Sequence, residues 1–363
     1  MIPVLEPSIG KEEIRSVLKA VKSGWVSSKG EFIEKFEKKF ADYHRVKEAV
    51  STSNGTTALH LALKSLGIEK NDEVIVPVLT FAATANAVIY CNAKPVFVDI
   101  HPKYWCIDPQ KIEEKITEKT RAIIPVHLYG HPCDMDWITD IAEDHGLYVV
   151  EDAAESHGAE YKGKKVGTFG DIACFSFYGN KIITTGEGGM CITNNEELAK
   201  EMRILRDHGM RPDKKYWHDK IGFNYRMTNL QAALGIVQLK KLDKFINKKR
   251  KIAKIYRKNL YEFQEKKEIE LHPEMSWAKC VYWTYSILIK NKPRDELIEY
   301  LYHKSVDTRP FFYPLNIMPP YKKEEKHPNA YKISKEGLNL PSSININKET
   351  IIHICDLIRE FLK

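Results

Sequence analysis

With 363 residues, 43% of them hydrophobic and 29% charged, the chain can bury a large core in two domains, and its composition excludes a disordered protein. No apolar run is long enough to span a bilayer, the opening MIPVLEPSIGKEE lacks the marks of a secretion signal, and seven scattered cysteines without a CxxC pair point to a reducing cytoplasm rather than to disulfides or structural zinc. The net charge of +7, carried mostly by lysine, favours an anionic substrate and gives no nucleic-acid footprint.

A short helix is predicted over Lys11–Lys22, followed by the loop SGWVSSKG at 23–30. Trp25 is the large apolar group of that loop, either a packing anchor or a ligand wall. A second helix from Glu31 to Tyr43 sets Phe32, Phe36 and Phe40 on one face. From residue 47 to about 195, β-branched runs alternate with helical stretches, the pattern of an α/β sheet. Predicted strands cover Glu48 to Thr52, Glu73 to Val78, Pro95 to Asp99, Ala122 to His127 and Leu147 to Glu151. Such sheets bind ligands beyond the carboxyl ends of their strands, so the residues that follow each strand are the first site candidates.

After the first strand, Ser53-Asn54-Gly55-Thr56-Thr57 opens a helix whose free amides and hydroxyls suit a phosphate, although an ordinary N-cap uses the same residue types. Phe81 follows the second strand, where an aromatic ring either stacks on a flat ligand or joins the core. The fifth strand ends in EDAAESH: Asp152, a buried strand-end carboxylate, needs a cation or a protonated ring nitrogen, while His157 reads as a satisfied core histidine. The segment Asp171 to Asn194 then reads as a strand through Phe177, a glycine-rich turn bearing Lys181, and a second strand from Met190. A lysine amine whose pKa is lowered by an apolar setting attacks an aldehyde to form a Schiff base. Ser176, Tyr178 and Asn180 offer hydrogen bonds nearby, and Gly186, Gly188 and Gly189 permit close approach. A phosphate-binding helix start, a stacking aromatic, a strand-end aspartate and a turn-borne lysine are together the parts that a pyridoxal 5'-phosphate enzyme needs.

Beyond residue 195, one or two long helices are predicted from Asn229 to about Phe263, with Leu230, Ala233, Leu234 and Val237 as an apolar stripe and a lysine-rich second part that reads as a solvated face. The boundary between a large domain (1–240) and a small α+β domain (241–363) is placed near residue 240. The small domain is predicted to hold a strand from Val281 to Ile289, a helix from Arg294 to His303, antiparallel pairing, and a TRPFFYPL loop with Arg309 and Tyr313, which either folds over the site, where an arginine suits a diphosphate or carboxylate, or is a proline-bounded turn with a surface arginine.

The segments SNGTTALHLAL, EVIVPVLTF, PVHLYGHPCDMD, EDAAESHGA, SFYGNKIITTGEGGM, YWHDKIGFNYRMTNLQAALG and TRPFFYP resemble the DegT/DnrJ/EryC1/StrS family of sugar aminotransferases over nearly the whole chain. The resemblance implies the type I aminotransferase fold, a mostly parallel sheet sandwiched by helices with a smaller C-terminal domain. It further implies that Lys181 forms the Schiff base and moves the proton, that Asp152 binds the ring nitrogen, and that Phe81 stacks on the ring. Glu155, where many relatives have glutamine, would approach the phenolic oxygen, while Gly55, Thr56 and Ser176 would hold the phosphate. Asn224 would reach the phosphate of the other subunit, making a homodimer with shared sites. Among family members the likeness is strongest to those that aminate C4 of GDP-4-keto-6-deoxy-mannose with L-glutamate, giving GDP-perosamine. A UDP- or dTDP-linked sugar, or a non-catalytic regulatory or scaffolding role, is the alternative. Two residues depart from the family pattern, Ile182 for threonine and Asn316 for histidine, and the second bears on substrate identity. No metal, membrane or nucleic acid is implied.

Overall fold

The structure, a computed structural model, describes all 363 residues. Its helices are α1 (Lys11–Lys22), α2 (Glu31–His44), α3 (Gly55–Ser65), α4 (Ala83–Tyr90), α5 (Met135–Asp144), α6 (Glu196–Arg206), α7 (Asn229–Lys240), α8 (Leu242–Glu265), α9 (Arg294–His303), α10 (Pro328–Glu336) and α11 (Lys348–Leu362). The strands of the first half are β1 (Glu48–Thr52), β2 (Glu73–Pro77), β3 (Lys94–Val98), β4 (Thr120–Ile123), β5 (Tyr148–Asp152), β6 (Glu160–Tyr161), β7 (Lys164–Lys165), β8 (Ile172–Ser176) and β9 (Gly189–Thr193). Those of the second half are β10 (Ile269–Leu271), β11 (Ala278–Lys279), β12 (Tyr285–Ile289), β13 (Arg309–Pro310) and β14 (Gly337–Leu340).

Seven strands form one sheet in the order β1-β9-β8-β5-β4-β2-β3. Strands β8, β5, β4, β2 and β3 run parallel, and β9 is antiparallel to both of its neighbours. The parallel strands are buried on both faces, which is why stretches such as Val74-Ile75-Val76 are apolar without alternation. Strand β4 stops at Ile123, short of the predicted His127. Pro125 has no amide to donate, and beyond it only Val126 still bridges to Asp152.

The predicted long helix is two, α7 and α8, parted at Lys241. The apolar stripe proves to be a different one. Ala232, Gly235 and Leu239 face inward with Ala233, while Leu230, Leu234 and Val237 are only half-buried. Small residues are needed because α7 packs tightly on α2: a Cβ at Gly235 would stand 2.6 Å from the Phe36 ring.

A second, four-stranded sheet, β10-β12-β14-β13, is antiparallel throughout and carries its own core with α8, α9 and α11. Along α8 the buried side chains pass from the first core (Phe245, Ile246) to the second (Ile252, Tyr256). Strand β12 starts at Tyr285, four residues later than predicted. Before it the chain is turned by Tyr282, whose φ of 49° is left-handed, and Val281 and Trp283 instead donate their amides to the carbonyls of Gly130 and Tyr129 at 3.0 and 3.1 Å. All seven cysteines are free and buried, and no helix is long and apolar enough to cross a membrane.

Candidate active site

The carboxyl ends of β5 and β8 and the start of α3 meet at one place. On β5, neighbouring carboxylates point to opposite faces and meet different fates. Glu151 is fully buried and accepts hydrogen bonds from His127 (3.0 Å) and from the amides of Gly167 (2.6 Å), Phe169 (2.7 Å) and Gly170 (2.8 Å). Burial opposes its ionisation, but these donors, His127 foremost, bring its pKa below the usual carboxylate range. Asp152, also buried, accepts only the Thr84 hydroxyl at 2.8 Å and the Ala154 amide at 3.2 Å. Burial keeps its pKa above the ordinary aspartate value, so it is the carboxylate still short of a positive partner.

Lys181 sits between β8 and β9 in a tightly held turn. Its amide donates to the Tyr178 carbonyl at 2.9 Å, Thr185 ties back to Phe177 at 2.9 Å, and the buried Ile182 and Ile183 pin the chain on the core side. The lysine side chain is 12% exposed, its ammonium 3.7 Å from the Glu155 carboxylate and 3.9 Å from the centroid of the Trp283 indole. Trp283 in turn donates its Nε1–H to the Asn180 carbonyl at 2.7 Å. Burial lowers the Lys181 pKa, against the opposing pull of Glu155 and Asp152. The same burial pushes the Glu155 carboxyl up to about 7, although Lys181 and the Tyr129 amide at 2.8 Å favour its charged form. Both partners are thus biased toward neutrality, and a neutral amine is the nucleophilic form.

At the start of α3, Asn54 caps the Thr57 amide at 2.9 Å and leaves the amides of Gly55 and Thr56 without an acceptor in the chain. A Cβ on Gly55 would lie 2.8 Å from that of Ser176, so only glycine lets the helix start lie against the end of β8. Phe81 is 59% exposed, with its ring 5.8 Å from Phe312. Phe312 stacks on Tyr129 at 5.4 Å, and Tyr129 stacks on Trp283 at 6.3 Å, which completes an aromatic wall from Phe81 to Lys181.

Not every predicted residue lies in this cluster. Trp25 is 57% exposed and is tied to the start of α7 through its carbonyl, which accepts from Asn229 at 2.7 Å. Asn224 is exposed, its side-chain oxygen accepting from Arg226 at 2.7 and 3.1 Å. Arg309 lies exposed on the edge strand β13, and Tyr313 is exposed just after Phe312. Within one chain none of these four hydrogen-bonds or ion-pairs with Lys181, Glu155 or Asp152. His157 is in the core between Phe175 and Phe177, but it is not satisfied: neither ring nitrogen has a partner, and burial pushes its pKa down to about 3. Asn316 is buried with its amide donating to the Glu325 carbonyl (3.0 Å) and the Tyr331 hydroxyl (2.7 Å), which ties its own loop, while its Oδ1 has no partner in the chain. Thr84, Tyr129 and Trp283 were not anticipated from sequence. Thr84 alone had a signal, a hydroxyl at the start of the helix that follows the second strand.

The model of the DegT/DnrJ/EryC1/StrS aminotransferase family matches residues 7–359. GDP-perosamine synthase of Escherichia coli O157:H7 is 49% identical over 99% of this chain and 98% of its own. GDP-perosamine synthase of Vibrio cholerae is 41% identical over 99% of both chains. Among solved structures, the PLP-form of Spr1654 from Streptococcus pneumoniae superposes with a TM-score of 0.94 at 27% identity, over 99% of this chain and 98% of that one. The chain belongs to the DegT/DnrJ/EryC1/StrS aminotransferase family.

Proposed function

We propose that the protein moves the amino group of L-glutamate to C4 of GDP-4-keto-6-deoxy-mannose, giving GDP-perosamine. The observation that carries the choice of sugar is whole-chain identity of 49% and 41% to two GDP-perosamine synthases. The chain is an aminotransferase that uses pyridoxal phosphate, and its own residues fit that group: a buried carboxylate short of a cation, two free helix-start amides beside a hydroxyl, and a dry lysine.

When bound, pyridoxal phosphate supplies an aldehyde that takes up the amino group and a ring that accepts electrons from the substrate carbon. In this proposal the Asp152 carboxylate would accept a hydrogen bond from the protonated ring nitrogen, with the Thr84 hydroxyl orienting the carboxylate. The Gly55 and Thr56 amides and the Ser176 hydroxyl would donate to the phosphate, Phe81 would pack on the ring, and Glu155 would serve the phenolic oxygen. Lys181 Nζ, the amine that burial biases toward its neutral form, would hold the aldehyde end of the group and would take the proton from the substrate carbon. Arg309 and Tyr313 are assigned to the nucleotide sugar.

The proposal includes a cytoplasmic homodimer, with a division of labour between residues 1–240 and 241–363. Support for a dimer comes from an apolar face on α1, the following loop and α7: Ile14, Leu18, Val21, Trp25 and Val26 are 45–62% exposed beside the half-buried Leu230, Leu234 and Val237. Trp25 and Asn224 lie on the outside of one chain, where they would serve the site of a second.

Gly55→Ala is expected to force α3 away from Ser176 and raise the Kd for pyridoxal phosphate about tenfold, because overpacking of this kind costs about 1–3 kcal/mol. Absorbance titration of the apo-protein measures it, and an unchanged Kd would remove Gly55 from the site. The function itself is tested by incubating the purified protein with L-glutamate and GDP-, UDP- and dTDP-linked 4-keto-6-deoxy sugars and reading the products by mass spectrometry. Amination of the GDP sugar alone is expected. Amination of another sugar in its place would replace the substrate, and failure with all of them would reject the sugar-aminotransferase reading.

A further inference from the structure

Lys249 lies on α8 where that helix passes from one core to the other, and it is only 3% exposed. No carboxylate accompanies it. Its ammonium donates to two backbone carbonyls, that of Trp283 at 2.8 Å and that of Ser342 at 2.5 Å. A buried ammonium without a counter-ion is expensive, and burial pulls its pKa down to about 7. An apolar side chain would avoid that cost but would leave both carbonyls without this donor, so the ammonium is there to hold them.

The two carbonyls lie at the site-facing end of the small sheet, Trp283 just before β12 and Ser342 just after β14, where the Tyr285 amide also donates to the Ser342 hydroxyl at 2.7 Å. The link continues from the Trp283 backbone to its ring, which bonds Asn180 and covers the Lys181 ammonium. Lys181 and Lys249 also border one small cavity of about 10 Å³, room for at most a single water. The turn at Tyr282 is left-handed for a non-glycine residue, a conformation that surrounding contacts must hold.

We propose that Lys249 is a positioning residue: its ammonium fixes the Trp283 carbonyl and so holds the indole against the Asn180–Lys181 turn, keeping the reactive amine dry and oriented. This rests on the assignment of Lys181 as that amine. The test uses apo-protein containing 5-fluorotryptophan, whose six tryptophans give separate fluorine resonances. The Trp283 line is identified by its loss in Trp283→Phe. In Lys249→Met, the Trp283 line moves to a solvent-exposed position while the other five stay. The pH midpoint for acylation of Lys181, followed by peptide mass spectrometry, rises by about one unit as water reaches the amine, a tenfold drop in free base at a given pH. Lys249→Arg, which keeps the donors, restores both values. If methionine is not tolerated at this position, Lys249→Gln serves the same comparison. An unmoved Trp283 line and an unchanged midpoint in the folded variant would overturn the proposal, as would all six lines moving together. Since neither readout uses cofactor or sugar, a failure here leaves the substrate proposal standing, and a failed sugar assay leaves this one standing.

Discussion

Lys181→Ala is expected to lower transamination by about 10⁴-fold or more, roughly 5.5 kcal/mol in the barrier, while the protein stays folded. No other lysine lies over the Trp283 ring and beside Glu155, and Lys249, across the small cavity, has its ammonium tied to the Trp283 and Ser342 carbonyls, so neither amine position can stand in for the other. The fold survives because Lys181 makes just one ion pair, at 3.7 Å, and the partner left behind can discharge itself. Glu155 already has its pKa pushed up to about 7 by burial, and without the ammonium it rises further. Removal therefore leaves a neutral carboxylic acid and not a stranded buried charge.

The same carboxyl gives the apo-protein a pH signature. A group whose folded pKa is raised favours folding fully below its unfolded pKa, about 4.3, and loses that contribution as pH climbs through the folded value. Thermal unfolding of the wild-type apo-protein should therefore show this contribution declining between about pH 4.3 and about 7, and in Lys181→Ala the window should extend upward. Single-turnover reaction with L-glutamate, followed by cofactor absorbance, measures the chemistry, and circular dichroism the fold. Residual activity within tenfold of wild type would remove Lys181 from the centre of the mechanism.

Asp152→Asn is expected to cost about 10²–10⁴-fold in turnover, the range for a lost proton-holding group, with apo-protein stability unchanged or higher at neutral pH. The carboxylate's pKa is raised by burial, so its ionised form opposes folding, and a neutral amide of the same shape relieves that opposition. Asparagine keeps one acceptor, and the Thr84 hydroxyl, which also meets Thr80 at 3.1 Å, can turn to accept from the new amide. Its neighbour should behave in the opposite way. Glu151→Gln keeps an acceptor for the Phe169 and Gly170 amides but turns an NH2 group against the Gly167 amide and His127, and a loss of about 3–5 kcal/mol of stability is expected, with activity falling only as the folded fraction falls. Melting curves and kcat for the two variants separate a chemical carboxylate from a structural one on the same strand.

The contrast between these neighbours marks what the sequence could disclose. Asp152, Gly55 and Lys181 carry local signals: a charge at a strand end, a glycine where a helix starts, a lysine in a glycine-rich turn. Each depends on a few consecutive residues and on the rule that α/β sites gather beyond strand ends. Trp283 and Tyr129 carry none. Trp283 sits in what reads as uninterrupted strand, and only the turn at Tyr282, stabilised by contacts with Tyr129 and Gly130, delivers its indole to Lys181. The buried side of α7 was misread for a related reason. Periodicity picks the larger apolar residues, whereas close packing on α2 selects Gly235 and the alanines, leaving Leu230, Leu234 and Val237 for another surface. Asn316, which departs from the family pattern, has its amide nitrogen tied into its own loop, a contact set by residues 325 and 331 that no local pattern around position 316 discloses.

The most direct test of the account is chemical capture. The purified protein is loaded with pyridoxal phosphate, reduced with borohydride and digested, and the peptides are mapped by mass spectrometry. The account predicts the reduced cofactor on Lys181 alone, within the segment between β8 and β9. Capture on any other lysine, or none in a folded protein that still aminates sugar, would contradict it.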